Sequence, residues 1–365
     1  MGFTEKNLQD LVNLAISNEA SDIHIRENER PCFRIRGVLT SIKSPELTHD
    51  NIMDICNLII ANEQTQTKDE IKKIIENISE KDGSYDVPDL CRLRYNILKF
   101  QKKIAIIFRI IRLNVPTIEE LGLPDAVKTI ALSSRGLVLV TGTTGSGKSS
   151  TLAAMINHIN NNKRVHIITI EDPVEFVYPQ IKSRITQREI GTDTKNFHLA
   201  LRSALRQDPN VISIGEMRDT ETISIALKAA ETGHLVLSTI HTTDAITTIS
   251  RLISMFPSEE QENVRKRLAD GLYSTISQRL VKRADGKGMC PAIEIMINTP
   301  GIKDCILGKE DLMKMYTYIT KGEGHTGSIS FDQYLKKLLH KKIITDKVAA
   351  EAASASDFLK SLEFE

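Results

Sequence analysis

GLVLVTGTTGSGKS, residues 136–149, joins an apolar run to a glycine-rich segment and ends on a lysine and a serine. It fits the Walker A pattern G-x-x-x-x-G-K-[ST], with Gly142 and Gly147 as the fixed glycines. Residues 137–140 form a short continuous apolar run, which predicts a parallel strand buried on both faces. Residues 149–159 resume at helical spacing. The stretch therefore predicts a glycine loop between a strand and the start of a helix.

A glycine loop in this position is suited to binding phosphate. Small residues let consecutive backbone N–H groups surround phosphate oxygens, and the unpaired N–H groups of a helix start favour negative charge. Lys148 is expected to reach the β and γ phosphates of ATP, and Ser149 to coordinate Mg²⁺. A chance glycine-rich turn is the alternative interpretation. The predicted nucleotide-binding residues are Gly142, Thr143, Thr144, Gly145, Ser146, Gly147, Lys148, Ser149 and Ser150.

Length and charge favour a globular protein of ordinary composition. The 365 residues suit two or three domains, each able to bury a core. The 48 basic and 47 acidic residues nearly balance, so there is no general reason to expect a nucleic-acid partner. The five cysteines lack both the paired spacing of a zinc site and the density of a disulfide scaffold. They predict reduced thiols in a cytoplasmic protein without zinc.

The sequence gives no sign of direct membrane insertion. Glu5, Lys6 and Asp10 stand where a signal peptide would be apolar. Arg109 interrupts the longest aliphatic run, residues 104–111. Any association with a membrane is therefore expected to come through partner proteins.

Residues 1–113 predict a small α+β domain, and residues 114–119 predict a linker. Asp22 and His24 share one face of the first predicted strand, where they form either a site or a solvated or hydrogen-bonded pair. The predicted elements are helices over 4–18, 48–60 and 68–78, strands over 21–25 and 32–35, a turn-rich break over 83–89, and a hairpin of 90–98 with 104–111.

Residues 120–365 alternate buried strands with helices, which is typical of a parallel α/β sheet. The four apolar strands are 137–140, 165–170, 211–214 and 235–240. Polar residues follow each strand, and in parallel sheets ligands bind at the carboxyl ends, so these residues are expected to meet at one nucleotide. After position 245 the chain reads as mostly helical. It includes one predicted helix over 258–280, which opens with a capping box of Ser258 and Gln261.

The polar residues after the strands suit cleavage of a γ-phosphate, which needs a held Mg²⁺, an aligned water and donors for developing charge. Glu216 stands where a Walker B acid belongs and is expected to act on Mg²⁺ through its water shell. Glu175 is the first candidate to polarise the attacking water, with Glu171 and Asp172 as alternatives. His241 can donate to the γ-phosphate. For each residue, a solvated or structural role is the alternative.

With these residues the chain resembles a known family, the secretion ATPases of bacterial type IV pili and type II secretion. The chain is most similar to the pilus retraction (PilT-type) ATPases, and the similarity extends over nearly its whole length. The matching segments are SDIHI at 21–25, RLRYN at 92–96, the Walker A loop, TIEDPVEF at 169–176, ALRSALRQDPNVISIGEMRD at 200–219 and AAETGHLVLSTIHTTDA at 229–245.

The resemblance implies an N-terminal PAS-like domain and a C-terminal RecA-like P-loop ATPase domain with a helical C-terminal region. It further implies a homohexameric motor for pilus retraction at the cytoplasmic side of the inner membrane, held there through a platform protein. In family terms, Glu175 matches the catalytic glutamate, Glu216 the Walker B acid and His241 the His box. Arg94 and Arg109 match arginines that approach nucleotide at the domain interface, although two solvated arginines is the simpler interpretation from the residues alone.

One segment departs from the retraction pattern. Retraction ATPases usually carry an A-I-R-x-L-I-R helix, whereas residues 301–307 here read GIKDCIL, without either arginine. Retraction remains the favoured function, and an assembly or secretion ATPase of the same superfamily is the alternative.

Two other classes of function compete with a pilus motor. A RecA-like nucleic-acid motor would share the catalytic residues but should add a basic, aromatic-bearing track, and this chain has no Trp and only 5% aromatic residues. A scaffold that binds nucleotide without hydrolysing it would not need Glu175 and Glu216.

Overall fold

The computed structural model describes residues 2–35, 37–61, 68–77, 79–88, 90–112 and 114–354. The chain divides into two compact units, Met1–Asn114 and Val115–Glu365. This division falls inside the predicted linker of residues 114–119, whose assignment as a linker stays a prediction. The end of the third predicted helix at Ile78 and the end of the predicted break at Asp89 lie outside the described residues.

The first unit contains a six-stranded sheet in the order β3-β2-β1-β6-β5-β4, in which every paired neighbour is antiparallel. Its core is formed by the inner faces of the sheet and of the helices. The elements are α1 (Glu5–Ser17), β1 (Ala20–Arg26), β2 (Cys32–Ile35), β3 (Val38–Ser41), α2 (His49–Ala61), α3 (Lys68–Asn77), β4 (Glu80–Val87), β5 (Cys91–Phe100) and β6 (Lys103–Arg112).

Local sequence signals explain most elements of this unit. Thr4 caps α1, and its side chain accepts a hydrogen bond from the Asn7 N–H. In the predicted hairpin, β5 and β6 are each longer than expected, so the tip shortens to Gln101 and Lys102. Both tip residues have positive φ, at 46° and 64°, which is the twist that a two-residue hairpin turn requires.

The turn-rich break predicted over residues 83–89 is wrong, because residues 80–87 form the strand β4. This strand lies at the edge of the sheet and pairs along its whole length with β5. Tyr85 and Val87 are its buried side chains, and Asp86 between them is exposed. Glycine, serine and aspartate resembled a turn, but an edge strand tolerates them because it is paired on one side only.

The second unit contains a seven-stranded sheet in the order β13-β12-β7-β11-β10-β8-β9, parallel except for β13. The elements that build the sheet and its layers are α4 (Ala126–Ala131), β7 (Gly136–Thr141), α5 (Lys148–Asn162), β8 (His166–Glu171), β9 (Arg184–Glu189), α6 (Phe197–Ala204), β10 (Val211–Ile214), α7 (Thr220–Glu231), β11 (Leu235–Ile240), α8 (Ala245–Ser254), α9 (Ser258–Gly271), β12 (Leu272–Lys282) and β13 (Met289–Ile297). Four helices follow, α10 (Pro300–Ile306), α11 (Lys314–Lys321), α12 (Phe331–His340) and α13 (Asp346–Ala352).

All four predicted strands of this sheet are confirmed, and two of them match residue for residue. Along β7, Val138 and Val140 enter one core and Leu137 and Leu139 enter the other. The sheet is therefore covered on both faces, as the continuous apolar runs require.

The helix predicted over residues 258–280 is wrong, and the region after position 245 is not simply helical. Helix α9 ends at Gly271, and the chain turns directly into β12, which lies between β7 and β13. The predicted capping box is also absent, since Pro257 precedes α9 and Gln261 Nε2 instead donates to the Phe256 carbonyl at 3.0 Å. The buried Ser and Thr residues of β12 are compatible with a central strand, but they interrupt the hydrophobic pattern from which a strand is predicted.

The segment that departs from the retraction pattern forms α10. Its apolar residues Ile302, Cys305 and Ile306 are buried. Gly301 packs against the ring of Tyr318, and a Cβ at this position would lie 2.5 Å from Tyr318 Cε1. An alanine here would require the ring to move. No helix in the described part of the chain is both long and apolar enough to cross a membrane.

Glu294 on β13 is a buried carboxylate between two elements. Its Oε1 accepts hydrogen bonds from the Ala245 N–H at 2.8 Å and from Ser277 Oγ at 3.1 Å. Burial raises the pKa of Glu294 to about 7, and the hydrogen bond from Ala245 only partly offsets that effect. Glu294 thus ties the hairpin β12–β13 to the start of α8.

We expect Glu294 to make the unit less stable as pH rises. Between about pH 4.5 and pH 7 the folded chain keeps a proton that the unfolded chain has lost, so folding free energy is lost across this window. Glu294→Gln keeps the acceptor oxygen and stays neutral. The free energy of unfolding of Glu294→Gln, measured by urea denaturation, should therefore rise relative to that of wild type by up to about 3 kcal/mol between pH 5 and pH 8. Glu259→Gln, an exposed change on α9, is the control, and a pH-independent difference for Glu294→Gln would contradict the prediction.

Candidate nucleotide-binding site

A cleft of about 490 Å³ lies at the carboxyl ends of β7, β8, β10 and β11. Residues that follow all four strands line it, so the predicted convergence is confirmed. The predicted residues in its lining are Thr144, Gly145, Gly147, Lys148, Ser149, Ser150, Glu171, Asp172, Glu175, Glu216 and His241. Gly142, Thr143 and Ser146 belong to the same loop but not to this lining.

The loop between β7 and α5 takes a shape that depends on glycine. Gly142, Gly145 and Gly147 all have positive φ, at 150°, 79° and 90°. Gly147 is left-handed at the position immediately before α5. A side chain would be strained at these positions, whereas glycine lets successive N–H groups line a concave surface.

The ammonium group of Lys148 is held inside this loop. Its Nζ donates to the carbonyl oxygens of Gly142 and Thr143, each at 2.9 Å. Burial lowers the pKa of Lys148, and the nearby Glu216 and Glu175 carboxylates partly counter that effect. An ammonium has three donors, so two contacts leave one N–H for an anionic ligand.

The three acids at the carboxyl end of β8 lie in different environments. Glu171 is engaged, because its carboxylate accepts from Thr169 Oγ1 at 2.6 Å, from Gln187 Nε2 at 3.1 Å and from the Glu175 N–H at 3.4 Å. Burial raises the pKa of Glu171. Asp172 and Glu175 are exposed and line the cleft. Glu171 therefore fixes the loop backbone, while the carboxylates of Asp172 and Glu175 remain available to a ligand.

Glu216 lies between two basic side chains at the ends of β10 and β11. Its Oε1 pairs with Arg218 Nη2, and its Oε2 is 3.6 Å from His241 Nε2. Thr239 Oγ1 donates to the Gly215 carbonyl at 2.7 Å and so ties the two strand ends together. Glu216 is largely buried, whereas Arg218 is 71% exposed and His241 is 47% exposed.

Two residues with close contacts at this site had no predicted role. Arg218 follows β10, and its pairing with Glu216 depends on side-chain geometry that the sequence does not show. Gln278 on β12 hydrogen-bonds the glycine loop. Recognition of β12 as a strand would have placed Gln278 beside β7 and could have indicated this contact.

The predicted Arg94 and Arg109 belong to the first unit and do not line the cleft. They face each other directly on β5 and β6 and line a separate cavity of about 270 Å³. Arg109 Nε donates to Asp22 Oδ1 at 3.0 Å, yet 67% of the Arg109 side chain stays exposed. Asp22 is buried and ion-paired with Arg109, so it is neither solvated nor simply a partner of His24.

The parallel sheet, the glycine loop with its buried lysine and the acids at neighbouring strand ends define a P-loop NTPase. The chain belongs to the family described as Type II/IV secretion system protein, whose model matches residues 1–322. It is therefore an ATP-hydrolysing enzyme, and the family resemblance drawn from the sequence is confirmed.

Individual relatives agree with this family. The chain is 43% identical over 347 residues to the type IV pilus retractation ATPase PilT of Pseudomonas aeruginosa, covering 95% of this chain and 98% of that protein. It is 41% identical to a twitching motility protein of Neisseria gonorrhoeae over 90% of this chain and 85% of that protein. A crystal structure of the pilus retraction motor PilT with bound ADP has a TM-score of 0.84 and 40% identity, with 98% of both chains covered.

Proposed function

We propose that this chain is a motor that couples ATP hydrolysis to retraction of a type IV pilus. The observation that carries the proposal is the likeness to the retraction ATPase of Pseudomonas aeruginosa, which extends over nearly the whole of both chains. The cleft supplies the chemistry, because the buried Lys148 and the exposed carboxylates of Asp172 and Glu175 line it.

In the proposed site the loop from Gly142 to Ser150 binds the phosphates of ATP, and Lys148 contacts the β and γ phosphates. The hydroxyl of Ser149 and the carboxylate of Glu216 are oxygen donors that fit Mg²⁺, Glu216 through water. Mg²⁺, when bound, would neutralise charge on the phosphate oxygens. The curved loop fits a phosphate group, because its glycines have no side chains that would block the backbone N–H groups.

Glu175 is the proposed residue that polarises the attacking water. It is exposed in the cleft, close enough to Lys148 to influence its pKa, and the described part of the chain offers its carboxylate no hydrogen bond or ion pair. Glu171 is less suitable because three donors already occupy it. His241 is proposed to donate to the γ-phosphate, and its nearness to Glu216 would link that contact to the Walker B acid.

The chain is proposed to act as a homohexamer at the cytoplasmic side of the inner membrane, attached through a platform protein of the pilus machine. In this ring, Arg94 and Arg109 are proposed to approach nucleotide. A guanidinium group can grip phosphate oxygens with a planar pair of donors. Arg109 remains largely exposed despite its ion pair with Asp22, so its outer N–H groups can reach another partner.

A pilus assembly or secretion ATPase of the same family is the second candidate. Helix α10 favours it, because this helix lacks both arginines of the usual retraction pattern. The two candidates share the nucleotide site and differ in what ATP hydrolysis drives, which is pilus retraction in the first and pilus assembly or secretion in the second.

Substitutions can distinguish the roles of Lys148 and of the acids in the cleft. Lys148→Ala should weaken ATP binding, because it removes a phosphate contact. Glu175→Gln should keep binding and lower turnover by on the order of a hundredfold or more, because water is no longer polarised. Nucleotide titration and phosphate release on the same samples measure both. Asp172→Asn is the matched control and should retain turnover; an active Glu175→Gln with an inactive Asp172→Asn would reassign the role.

The arginines of the first unit should matter for turnover and not for assembly. Arg94→Ala or Arg109→Ala is expected to lower ATP turnover on the order of a thousandfold while rings remain intact by native mass measurement. Arg34→Ala is the control, since Arg34 belongs to the same sheet and also lies near Asp22, at 3.7 Å. Wild-type turnover of intact Arg94→Ala and Arg109→Ala rings would show that both residues are solvated arginines.

Deletion of the gene distinguishes retraction from assembly. A cell that lacks a retraction motor should display surface pili that it cannot withdraw, whereas loss of an assembly ATPase should leave bald cells. Electron microscopy of surface pili, with twitching measured on the same strain, gives the answer. Bald cells would favour the second candidate and assign a functional meaning to the altered α10.

A further inference from the structure

Gln278 connects the sheet to the phosphate-binding loop. It lies on β12, which pairs in parallel with β7 so that Ser277 stands opposite Thr141. The Gln278 side chain is 3% exposed. Its Nε2 donates to the Ser146 carbonyl at 2.6 Å, and its Oε1 accepts from Thr151 Oγ1 at 2.7 Å. One buried amide therefore holds both the loop and the first turns of α5.

The hydrogen bond to Ser146 also determines the direction of the next N–H group. In a trans peptide the carbonyl and the following N–H point in opposite directions. Because Gln278 holds the Ser146 carbonyl on the buried side, the Gly147 N–H is directed to the other side. Gly147 lines the cleft. Gln278 thus presents an N–H group of the loop to the place where phosphate would bind.

The site requires an amide of this length. The loop presents a carbonyl, which needs a donor, and α5 presents the Thr151 hydroxyl, which donates to an acceptor. Glutamine supplies both functions in one neutral side chain, whereas glutamate lacks the donor. The contact is also close, because a Cβ at Gly147 would lie 2.8 Å from Gln278 Nε2.

We infer that Gln278 is a positioning residue for nucleotide binding, which fixes the Ser146–Gly147 peptide in the orientation that phosphate needs. The inference rests on the proposed function only in requiring that the loop binds nucleotide. Gln278 itself touches the loop and not the nucleotide, so it should act mainly on affinity. Loss of both hydrogen bonds leaves a buried carbonyl and a buried hydroxyl unpaired, and lets the peptide rotate.

The test compares Gln278→Met with Thr275→Val in the full chain. Methionine has a similar shape but makes neither hydrogen bond. Thr275 is a matched control, since it is fully buried on the same strand and its hydroxyl has no hydrogen-bond partner in the described part of the chain. With fluorescent N-methylanthraniloyl-ADP and Mg²⁺, Gln278→Met should bind about tenfold more weakly, or about 1.4 kcal/mol, and Thr275→Val should match wild type.

Steady-state kinetics provide a readout that a merely structural role would not change. Gln278→Met should raise KM for ATP by a similar factor and change kcat less. Thr151→Val removes only the second hydrogen bond and should weaken binding less, whereas Thr151→Ser keeps the hydroxyl and should restore wild-type affinity. If Gln278→Met fails to fold, the difference between the two Thr151 variants decides the question.

The outcomes separate this inference from the proposed function. A folded Gln278→Met that binds the fluorescent ADP with wild-type affinity overturns the inference alone. Equal binding by Thr151→Val and Thr151→Ser, where Gln278→Met does not fold, also overturns it. A wild-type chain that does not bind the nucleotide would contradict the proposed function together with the inference.

Discussion

The structure depends on the pairing of β7 with a parallel strand on each side. β11 and β12 both pair with β7, and every residue of β7 is buried. A strand held in this way cannot tilt or slide without breaking two hydrogen-bond ladders and disturbing two cores. The glycine loop begins where β7 ends, so β7 fixes the position of the first loop residues. Because the loop is anchored at this end, its glycine-rich backbone loses less conformational entropy when a ligand fixes its shape.

Three consecutive residues of β12 contact the glycine loop and other parts of the second unit. Ser277 bonds Glu294, which also accepts from the first N–H group of α8, just after the strand end that carries His241. Gln278 bonds the glycine loop. Arg279 places its guanidinium 4.0 Å from the ring centre of Phe331 and donates to the Ala352 carbonyl. These three residues therefore contact the start of α8 through Glu294, the glycine loop and the C-terminal helices.

The acids of the cleft show how environment separates residues of one chemical type. Glu171 and Glu175 are four residues apart, yet one is half-buried among donors and the other is exposed in the cleft. The Glu171 carboxylate also accepts the Glu175 N–H, so the half-buried acid helps to hold the exposed one in place. In the first unit Asp22 has a comparable relation to Arg109, since a buried carboxylate orients a guanidinium that stays largely exposed.

The sequence by itself determined the glycine loop, the four strands of the parallel core and the hairpin of the first unit, because each carries a local pattern with one physical meaning. Continuous apolar runs must be buried on both faces, and glycines before a lysine leave little choice of backbone. β12 and β4 had no such pattern: the first is rich in buried Ser and Thr, and the second contains residues typical of turns. Only the tertiary structure decided that Gln278 holds a loop 132 residues away, that Asp22 pairs with Arg109 across 87 residues, and that Glu171 is engaged while Glu175 is not. Those contacts form only when folding brings the side chains within hydrogen-bonding distance.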